Sequence, residues 1–229
     1  MNVPLCTMPI SETISGSSRN APVFDPFGDF KTRGYLRNLR GYKSASAVKK
    51  FEHAEYVLNI GDARTSLLRA RVIDYKVLCS THRRLFGSVY PWAGKDRLAV
   101  TPDSTVRKGR VLFAPPQDIR RATETGLKLG NDAVVMAKQS GLVMGYLAFA
   151  HPFLEGNGRA LLAVHTELAR RAAISIDWRS IDHRDYLREL TKEIMLPGDG
   201  SLDAFLAPFV RANPQQAYIP DDQPRFTPR

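Results

Sequence analysis

The sequence predicts an all-α domain with one small β-hairpin as its exception. Three observations favour this class. Apolar residues recur at three-to-four spacing through most of residues 46–211, and capping residues open two of these segments. Only one stretch alternates between apolar and polar residues, as a strand does. Hydrophobic residues make up 43% of the 229-residue chain, which is enough for a packed core and too many for a disordered protein. This length indicates one domain with tails.

The two ends of the chain differ from its middle in composition. Residues 1–20 are rich in Ser, Thr and Pro and show no periodicity, and residues 213–229 carry four prolines and paired glutamines. Both compositions predict flexible tails. The folded domain is therefore expected over residues 21–212.

Helices are predicted in order along this middle part. Pro116-Gln117-Asp118 precedes one helix, and Asn131-Asp132 is a candidate N-cap for the next. The predicted helices cover 46–59, 65–86, about 119–129, 132–150, 158–173, 182–195 and 202–211.

The alternating stretch is residues 96–113, DRLAVTPDSTVRKGRVLF. It carries Lys108-Gly109 in its second half, where a turn would fall. This pattern predicts a short β-hairpin or an extended flap.

The charge balance restricts the kind of partner. There are 33 basic and 23 acidic residues, a net charge of +10, and the whole excess falls on residues 21–212. The basic residues are dispersed, with no zinc-finger or RNA-binding signature beside them. A solvated basic surface is favoured, an anionic partner is the alternative, and nucleic acid is not expected.

Other features set the expected compartment. No apolar run reaches the roughly 18–20 residues of a membrane span, and the first residues form no secretory signal. Two cysteines are too few for a disulfide framework or a zinc site, and His53, His82 and His183 have no metal-ligand spacing. We expect a cytoplasmic protein without a membrane partner.

One polar stretch interrupts the most apolar part of the sequence: residues 151–159, HPFLEGNGR. The glycines allow close approach of a ligand to the backbone, and the loop leads directly into a helix N-terminus, which favours anions. An Arg in the first turn, Arg159, is suited to grip a phosphate. Glu155 beside phosphate calls for a bridging cation, and Mg²⁺ commonly has this place in nucleotide sites.

Two further residues complete the predicted chemistry of this stretch. His151 is the side chain suited to take a proton near pH 7, and Phe153 would anchor the loop in the core. The pattern predicts a Mg²⁺-bound nucleotide with His151 deprotonating a hydroxyl that attacks phosphorus. The alternative from the pattern alone is a simple corner between helices with a capping Asn.

HPFLEGNGR resembles the signature of the Fic family, His-x-Phe-x-(Asp/Glu)-Gly-Asn-Gly-Arg. Residues 82–97, HRRLFGSVYPWAGKDR, resemble the segment before the family's flap, and residues 106–119, VRKGRVLFAPPQDI, resemble the flap and the next helix. The resemblance covers roughly residues 34–210. It implies a helical Fic fold and transfer of AMP from ATP to a Ser, Thr or Tyr hydroxyl of a target protein.

The resemblance also implies a role for each position of the motif. His151 would be the general base, Glu155 the Mg²⁺ ligand and Phe153 the structural anchor. The nucleotide-binding positions would be Gly156, Asn157, Gly158 and Arg159. The flap that pairs with the backbone of the target would comprise Lys108, Gly109, Arg110, Val111, Leu112 and Phe113.

The sequence departs from the family pattern in two places. The second Arg, expected three residues after Arg159, is replaced by Leu162. The family's inhibitory motif, Ser/Thr-x-x-x-Glu-Gly/Asn, is absent, because the only Glu followed by Gly or Asn is Glu155. Either a separate antitoxin-like partner supplies the inhibitory helix, or the chain is not regulated in this way, which the missing Arg favours.

We therefore predict a bacterial protein adenylyltransferase that uses ATP and Mg²⁺. The alternatives are a Fic-fold transferase that uses another nucleotide donor or transfers phosphate, and a catalytically weak binding protein, for which Leu162 is the argument. Both a toxin acting in its own cell and an effector secreted into a host are compatible with the family.

Overall fold

The fold is given by a computed structural model that describes residues 25–213. Helices dominate this part of the chain and two short antiparallel sheets complete it, so the predicted all-α class is confirmed. The helices are α1 (Phe30–Arg33), α2 (Ala45–Arg69), α3 (Tyr75–Phe86), α4 (Arg97–Val100), α5 (Ile119–Asn131), α6 (Ala133–Lys138), α7 (Ser140–Ala150), α8 (Asn157–Arg171), α9 (His183–Met195) and α10 (Ser201–Leu206). The strands are β1 (Arg107–Lys108), β2 (Val111–Leu112), β3 (Ile174–Ile176) and β4 (Val210–Ala212), and 3₁₀ turns lie at Pro116–Asp118 and Ala207–Phe209.

Helix α7 lies at the centre of the bundle. It contacts α5, α8, α9 and α10, and most of its residues are buried. Close packing against α5 depends on Gly126, where a Cβ would come within 3.0 Å of Tyr146. Because α7 is fixed on several sides, the polar loop that follows it starts from a rigid element.

The break between α2 and α3 differs from its predicted position at residues 60–64. Helix α2 passes through that stretch, which has no proline and whose one glycine borders open space. The chain breaks instead at Ile73, which is buried and whose N–H and C=O are both bound by the side chain of Asn131 (3.2 and 2.9 Å). Asp74 then caps α3 by accepting from the N–H of Val77 at 2.8 Å. A tertiary contact therefore sets this boundary.

The single helix predicted over residues 132–150 is divided into α6 and α7. The two helices separate at Gln139, which has φ −133° and ψ 46°. A distant side chain holds the new N-terminus, because Asp203 of α10 accepts from the N–H groups of Gly141 and Leu142 (2.6 and 3.3 Å). The local pattern continues through the break, so the sequence alone gave no signal for it.

The C-terminal part of the described chain contains a second sheet that the sequence did not predict. The helix expected over 202–211 ends at α10, and the chain turns through Pro208 into strand β4. Strand β4 pairs antiparallel with β3, with Ile174 opposite Ala212. Three-residue strands show no useful alternation, which explains why this pairing was missed.

The predicted hairpin over residues 96–113 is present only in its second half. Strands β1 and β2 pair antiparallel with Lys108 opposite Val111, and Gly109 in the turn has φ 56°. The first part is the short helix α4, because Asp96 caps it by accepting from the N–H of Ala99 at 2.8 Å. We call residues 105–113 the flap.

Both predicted tails lie outside the described residues, apart from Asn213. Their flexibility and the boundaries of the 21–212 domain therefore stay predictions. Within residues 25–213, no helix has both the length and the hydropathy needed to cross a membrane.

Candidate active site

The motif at residues 151–159 forms the turn between α7 and α8, and two residues with positive φ set its path. His151 ends α7 at φ 41° and ψ 57°, and Gly156 precedes α8 at φ 79°. A non-glycine residue in this left-handed region is uncommon and costs free energy, so the surroundings must hold His151 there. At Gly156 space is also limiting, since a Cβ would lie 2.5 Å from the ring of Phe86.

The interior of this loop is held by two of its own residues. The Asn157 side chain accepts from the N–H of Phe153 at 2.9 Å and donates to its C=O at 2.6 Å. Phe153 is completely buried, and its ring stacks on His82 with 3.7 Å between centroids. Because the Asn157 side chain is used inside the loop, what Asn157 can offer a phosphate is its backbone N–H.

The first turn of α8 offers an accessible helix N-terminus. The N–H groups at the start of a helix have no partner within the helix, and the helix dipole adds partial positive charge there. A Cβ on Gly158 would meet no atom within 4 Å, so the chain leaves open space beside it. A phosphate group fits such an arrangement.

Arg159 is held against the protein on one side. It forms an ion pair through Nη2 with the buried Glu52 of α2, which also accepts from the Tyr90 hydroxyl at 2.8 Å. Its guanidinium carbon lies 4.7 Å from the ring centroid of Phe86 and 5.6 Å from that of Tyr56. Burial lowers the pKa of Arg159 to about 10, which leaves it charged at neutral pH. Among residues 25–213, Nε and Nη1 of Arg159 have no hydrogen bond or ion pair, so they could bind a ligand.

The Glu155 carboxylate is the candidate metal ligand. Oε1 accepts from the N–H of Gly156 at 3.1 Å and lies 4.0 Å from Nη2 of Arg159. Burial raises the pKa of Glu155, and the Gly156 N–H, Lys108 and Lys49 act in the opposite direction. Within residues 25–213, no group of three or more His, Cys, Asp or Glu could hold a metal. A Mg²⁺ ion that takes one carboxylate and completes its shell with phosphate and water fits this single donor.

His151 is buried beneath the flap. Its ring stacks on Phe113 with 4.1 Å between centroids, and Nε2 has no hydrogen-bond partner among the described residues. Burial, and then the positive charges of Arg97 and Lys108, hold the pKa of His151 well below its usual value. A neutral imidazole with a free ring nitrogen is chemically equipped to accept a proton at neutral pH.

His82 supports the loop from below, a role that the sequence analysis did not assign to it. Its Nδ1 accepts from the N–H of Gly94 at 2.9 Å, so Nε2 carries the proton and donates to the Glu155 carbonyl at 2.9 Å. Burial lowers the pKa of His82 to about 3, which keeps the ring neutral. The one sequence signal was its place in the segment at residues 82–97 that resembles the family.

Two other residues near the motif were also missed by sequence reasoning. Glu52, the partner of Arg159, is separated from it by roughly half of the folded chain, so spacing could not connect them. Arg97 is completely buried and donates to the carbonyl of His151 in the motif loop and to that of Ala114, which directly follows the flap. Buried charged residues of this kind are visible only once the elements have been assembled.

The flap lies above His151 and presents one exposed side. Val111 and Phe113 are buried with Val106, whereas Leu112 remains 54% exposed. The flap sheet has only two strands, so within the described residues its outer edges have no neighbouring strand. An extended peptide could add to such an edge.

Leu162 occupies the position at which the Fic pattern has its second Arg. It is partly buried and packs against an apolar cluster that contains Met144, Leu202 and Leu206. The side chain therefore contributes to packing between helices and brings no charge to the candidate phosphate site.

The fold and this loop define a helical domain with a candidate phosphate site at the start of α8. Residues 72–169 match the profile of the Fic/DOC family. The chain therefore carries a Fic domain over these residues, and the family predicted from the motif is confirmed.

The comparison with curated proteins agrees with this assignment. Protein adenylyltransferase VbhT from Bartonella schoenbuchensis is 35% identical over 169 residues, which cover 72% of this chain and 34% of VbhT. The chain thus spans about a third of the length of that relative. The name of VbhT matches the class of enzyme predicted from the sequence, a nucleotidyltransferase.

Solved structures show the same fold. The N-terminal Fic domain of a VirB-translocated Bep effector protein from Bartonella quintana, with bound ADP, has a TM-score of 0.69 at 21% identity and covers 82% of this chain and 95% of its own. The BepC protein from Bartonella tribocorum, with bound AMPPNP, has a TM-score of 0.64 at 18% identity and covers 80% and 95%. At these identities the likeness concerns the fold.

Proposed function

We propose that this chain transfers AMP from ATP to a Ser, Thr or Tyr hydroxyl of a target protein, with Mg²⁺ as cofactor. The observation that carries the proposal is one loop that joins a base to a candidate phosphate site. At one end, Nε2 of His151 is buried and unpartnered among the described residues, and at the other, Gly158 borders open space. The name of VbhT and the nucleotides bound in the two Bartonella structures support it.

In the proposed reaction, Nε2 of His151 accepts the proton of the target hydroxyl as its oxygen attacks the α-phosphorus of ATP. The bond from that phosphorus to the bridging oxygen breaks, and pyrophosphate leaves. The N–H groups of Asn157 and Gly158 and the guanidinium of Arg159 stabilise the charge on the phosphate oxygens. Glu155 would hold Mg²⁺, which neutralises phosphate charge when bound.

The flap would position the target. We propose that an extended segment of the target pairs with the open edge of the flap, as peptides do when they add to a sheet. Phe113 of the flap stacks on the ring of His151, so a peptide on this edge is held close to the base. Leu112, exposed on the flap, is suited to contact an apolar side chain of the target.

Leu162 favours a second candidate, a transferase of the same fold with another donor. In the family, the second Arg helps to hold the far end of the triphosphate, and an apolar side chain cannot do so. A UTP, GTP or phosphocholine-nucleotide donor, or transfer of phosphate, would follow if that end is bound differently. The remaining alternative, a weak binding protein, predicts no transfer from any donor.

The proposal is tested by labelling proteins in a lysate. The chain is incubated with Mg²⁺ and ATP labelled at the α-phosphate in one sample and the γ-phosphate in another. Transfer of the α-label alone to a discrete protein supports the proposal, and transfer of the γ-label indicates phosphate transfer. Absence of label from every protein in both samples would refute the proposal. A labelled protein in a bacterial lysate would indicate a toxin that acts in its own cell, and one in a host-cell lysate would indicate a secreted effector.

Regulation is testable in the same assay. We propose that the chain is active without a separate antitoxin-like protein, because the Arg that an inhibitory Glu usually pairs with is Leu162 here. Activity of the purified chain alone is the expected result. Activity that depends on removal of a co-purifying protein would favour the inhibitor.

A pair of glycine substitutions separates binding from folding at the loop. Gly158→Ala places a methyl group in open space, and we expect it to leave the fold intact, raise helix stability by at most ~1 kcal/mol and weaken Mg-ATP binding by about tenfold or more. Gly156→Ala combines positive φ with contact to Phe86 and should lower the free energy of unfolding by about 1–3 kcal/mol. Urea unfolding and titration calorimetry check both, and equal Mg-ATP affinities of Gly158→Ala and the wild type would contradict the phosphate site.

A further inference from the structure

Arg97 is a buried cation whose partners are all backbone carbonyls. The residue is completely buried and forms no salt bridge with a carboxylate of the described chain. Its neighbour Asp96 is engaged elsewhere, since it accepts from the Tyr75 hydroxyl and from the N–H of Ala99. Burial lowers the pKa of Arg97 to about 10, so it stays charged. A buried charge of this kind is costly unless its hydrogen bonds are extensive.

The hydrogen bonds of Arg97 join two separate parts of the site. Nε donates to the carbonyl of His151 at 2.8 Å, and Nη2 donates to that of Ala114 at 2.6 Å. Longer contacts reach Ser104 (3.4 Å) and Ala150 (3.5 Å). Ser104 and Ala114 immediately flank the flap, whereas Ala150 and His151 form the junction between α7 and the motif loop.

Backbone hydrogen bonds strengthen the same connection. The N–H of Arg97 donates to the carbonyl of Pro152 at 2.8 Å, and the N–H of Ala114 donates to that of Phe149 at 2.9 Å. The strained left-handed conformation of His151 is thus held by a donor on its own carbonyl and another on the next residue. A planar guanidinium carries five N–H groups in a fixed fork, so it can serve carbonyls in several directions at once, whereas a Lys ammonium has three donors on one flexible point charge.

We propose that Arg97 is a positioning residue that couples the flap to His151, so that the docking site of the target and the base move as one unit. This proposal rests on the proposed function for the roles of the flap and the base, but the connection itself is a property of the fold. A merely structural Arg would stabilise the domain without controlling the flap or the electrostatics of His151.

The groups around His151 define what the coupling should change. The positive charges that act on it come from Arg97 below and Lys108 on the flap, and Phe113 of the flap covers its ring. Removal of the Arg97 charge should let the pKa of His151 rise, whereas loss of the guanidinium geometry with the charge retained should not. Both changes break hydrogen bonds to the carbonyls beside the flap, so both should let the flap open more easily.

The test compares Arg97→Lys, Arg97→Gln and a control, Arg121→Gln. The Arg121 side chain is 80% exposed, and within residues 25–213 it bonds only to Asp118, just before the start of its own helix. Tryptic cleavage after Arg107, Lys108 and Arg110 reports flap opening, and NMR titration reports the pKa of His151. We expect both Arg97 variants to be cleaved in the flap roughly ten- to a hundredfold faster than the wild type, as expected for the loss of one charge-assisted hydrogen bond. The pKa of His151 should rise in Arg97→Gln and stay low in Arg97→Lys.

Transfer activity supplies a third readout. A base works above its pKa, so the acid limb of the pH–rate profile should move to higher pH in Arg97→Gln alone. Folded variants with wild-type flap cleavage and an unchanged His151 pKa would overturn the proposal. If the wild type transfers no AMP, the proposed function fails, while cleavage and NMR still decide the coupling.

A measurement on the wild type covers the case in which the variants do not fold. Amide hydrogen exchange at Arg97 and Ala114, the donors to the motif loop and to α7, should show one common opening free energy under native conditions. Independent opening of the two amides would overturn the coupling without any substitution.

Discussion

Replacing His151 with asparagine or alanine is expected to lower the rate of AMP transfer by about 10²–10⁴-fold, the usual contribution of a general base. The structure gives the reason: the ring is buried and kept neutral, and Nε2 is unpartnered among the described residues. Asparagine is the better of the two variants, because it tolerates the left-handed conformation that His151 adopts. Initial rates with Mg-ATP and an identified target measure the loss.

The control for this prediction is another buried histidine of the same bundle. His165 is completely buried, and its Nε2 donates to the Ser140 carbonyl at 2.8 Å, but it lies on α8 beyond the motif. His165→Asn should lower stability yet keep the rate per folded molecule. A wild-type rate in His151→Asn would remove this residue from the chemistry.

The second large effect is a loss of stability in acid. His82, His151 and His165 are buried, and burial lowers the pKa of each. The pKa of His82 is about 3 and that of His165 about 4, and that of His151 lies well below its usual value. In the unfolded chain each would take a proton near pH 6.5, so the unfolded state binds more protons below that pH. The contribution of these three histidines to stability should therefore be constant above about pH 7 and fall as the pH drops below 6.5.

The magnitude follows from linkage. Each buried histidine costs about 1.4 kcal/mol per pH unit below 6.5, or about 2 kcal/mol at pH 5, and this loss continues down to about pH 4 for His165. Glu155, Glu193 and Asp203, whose pKa values burial raises, take up protons in the folded state and offset part of this loss.

Urea unfolding at pH 7.5, 6 and 5 measures the slope of stability with pH. His165→Asn removes one titrating group, so the slope between pH 6 and 5 should decrease by about 1.4 kcal/mol per unit relative to the wild type. An unfolding free energy that is the same at pH 7.5 and pH 5 would show that these histidines are not buried as the structure places them.

The candidate site residues could be proposed from the sequence because they are contiguous. His151, Glu155 and the glycines lie within nine residues, and the patterns on both sides predict the two helices that they join. The orientation of the side chains within the loop could not be predicted from the sequence. The side chain of Asn157 turns inward to Phe153, which leaves only its backbone to face a ligand.

The features that the sequence could not predict depend on contacts between distant segments. Asn131 fixes the break at Ile73, and Asp203 holds the start of α7, although neither partner is near in sequence. Arg97 and His82 support the motif through backbone atoms, which carry no sequence signal at all. Periodicity reports which face of an element is buried, not which neighbour completes its hydrogen bonds.

The missing second Arg has a clear structural counterpart. Leu162 completes an apolar contact with the cluster around Met144 and Leu202, so the substitution is accommodated by packing between helices. In the proposed reaction, binding of the triphosphate would then depend on the loop N–H groups, Glu155 and the Nε and Nη1 groups of Arg159. This dependence is why the chemical identity of the transferred group is the decisive property to measure.

The most direct test of AMP transfer is mass spectrometry of the labelled target. The protein is isolated after incubation with the wild-type chain and Mg-ATP, and its intact mass and modified residue are determined beside a sample treated with His151→Asn. We predict a gain of one AMP group on a Ser, Thr or Tyr side chain with the wild type and no gain with the variant. A gain of phosphate, or an AMP group that appears equally with both proteins, would contradict the proposed reaction.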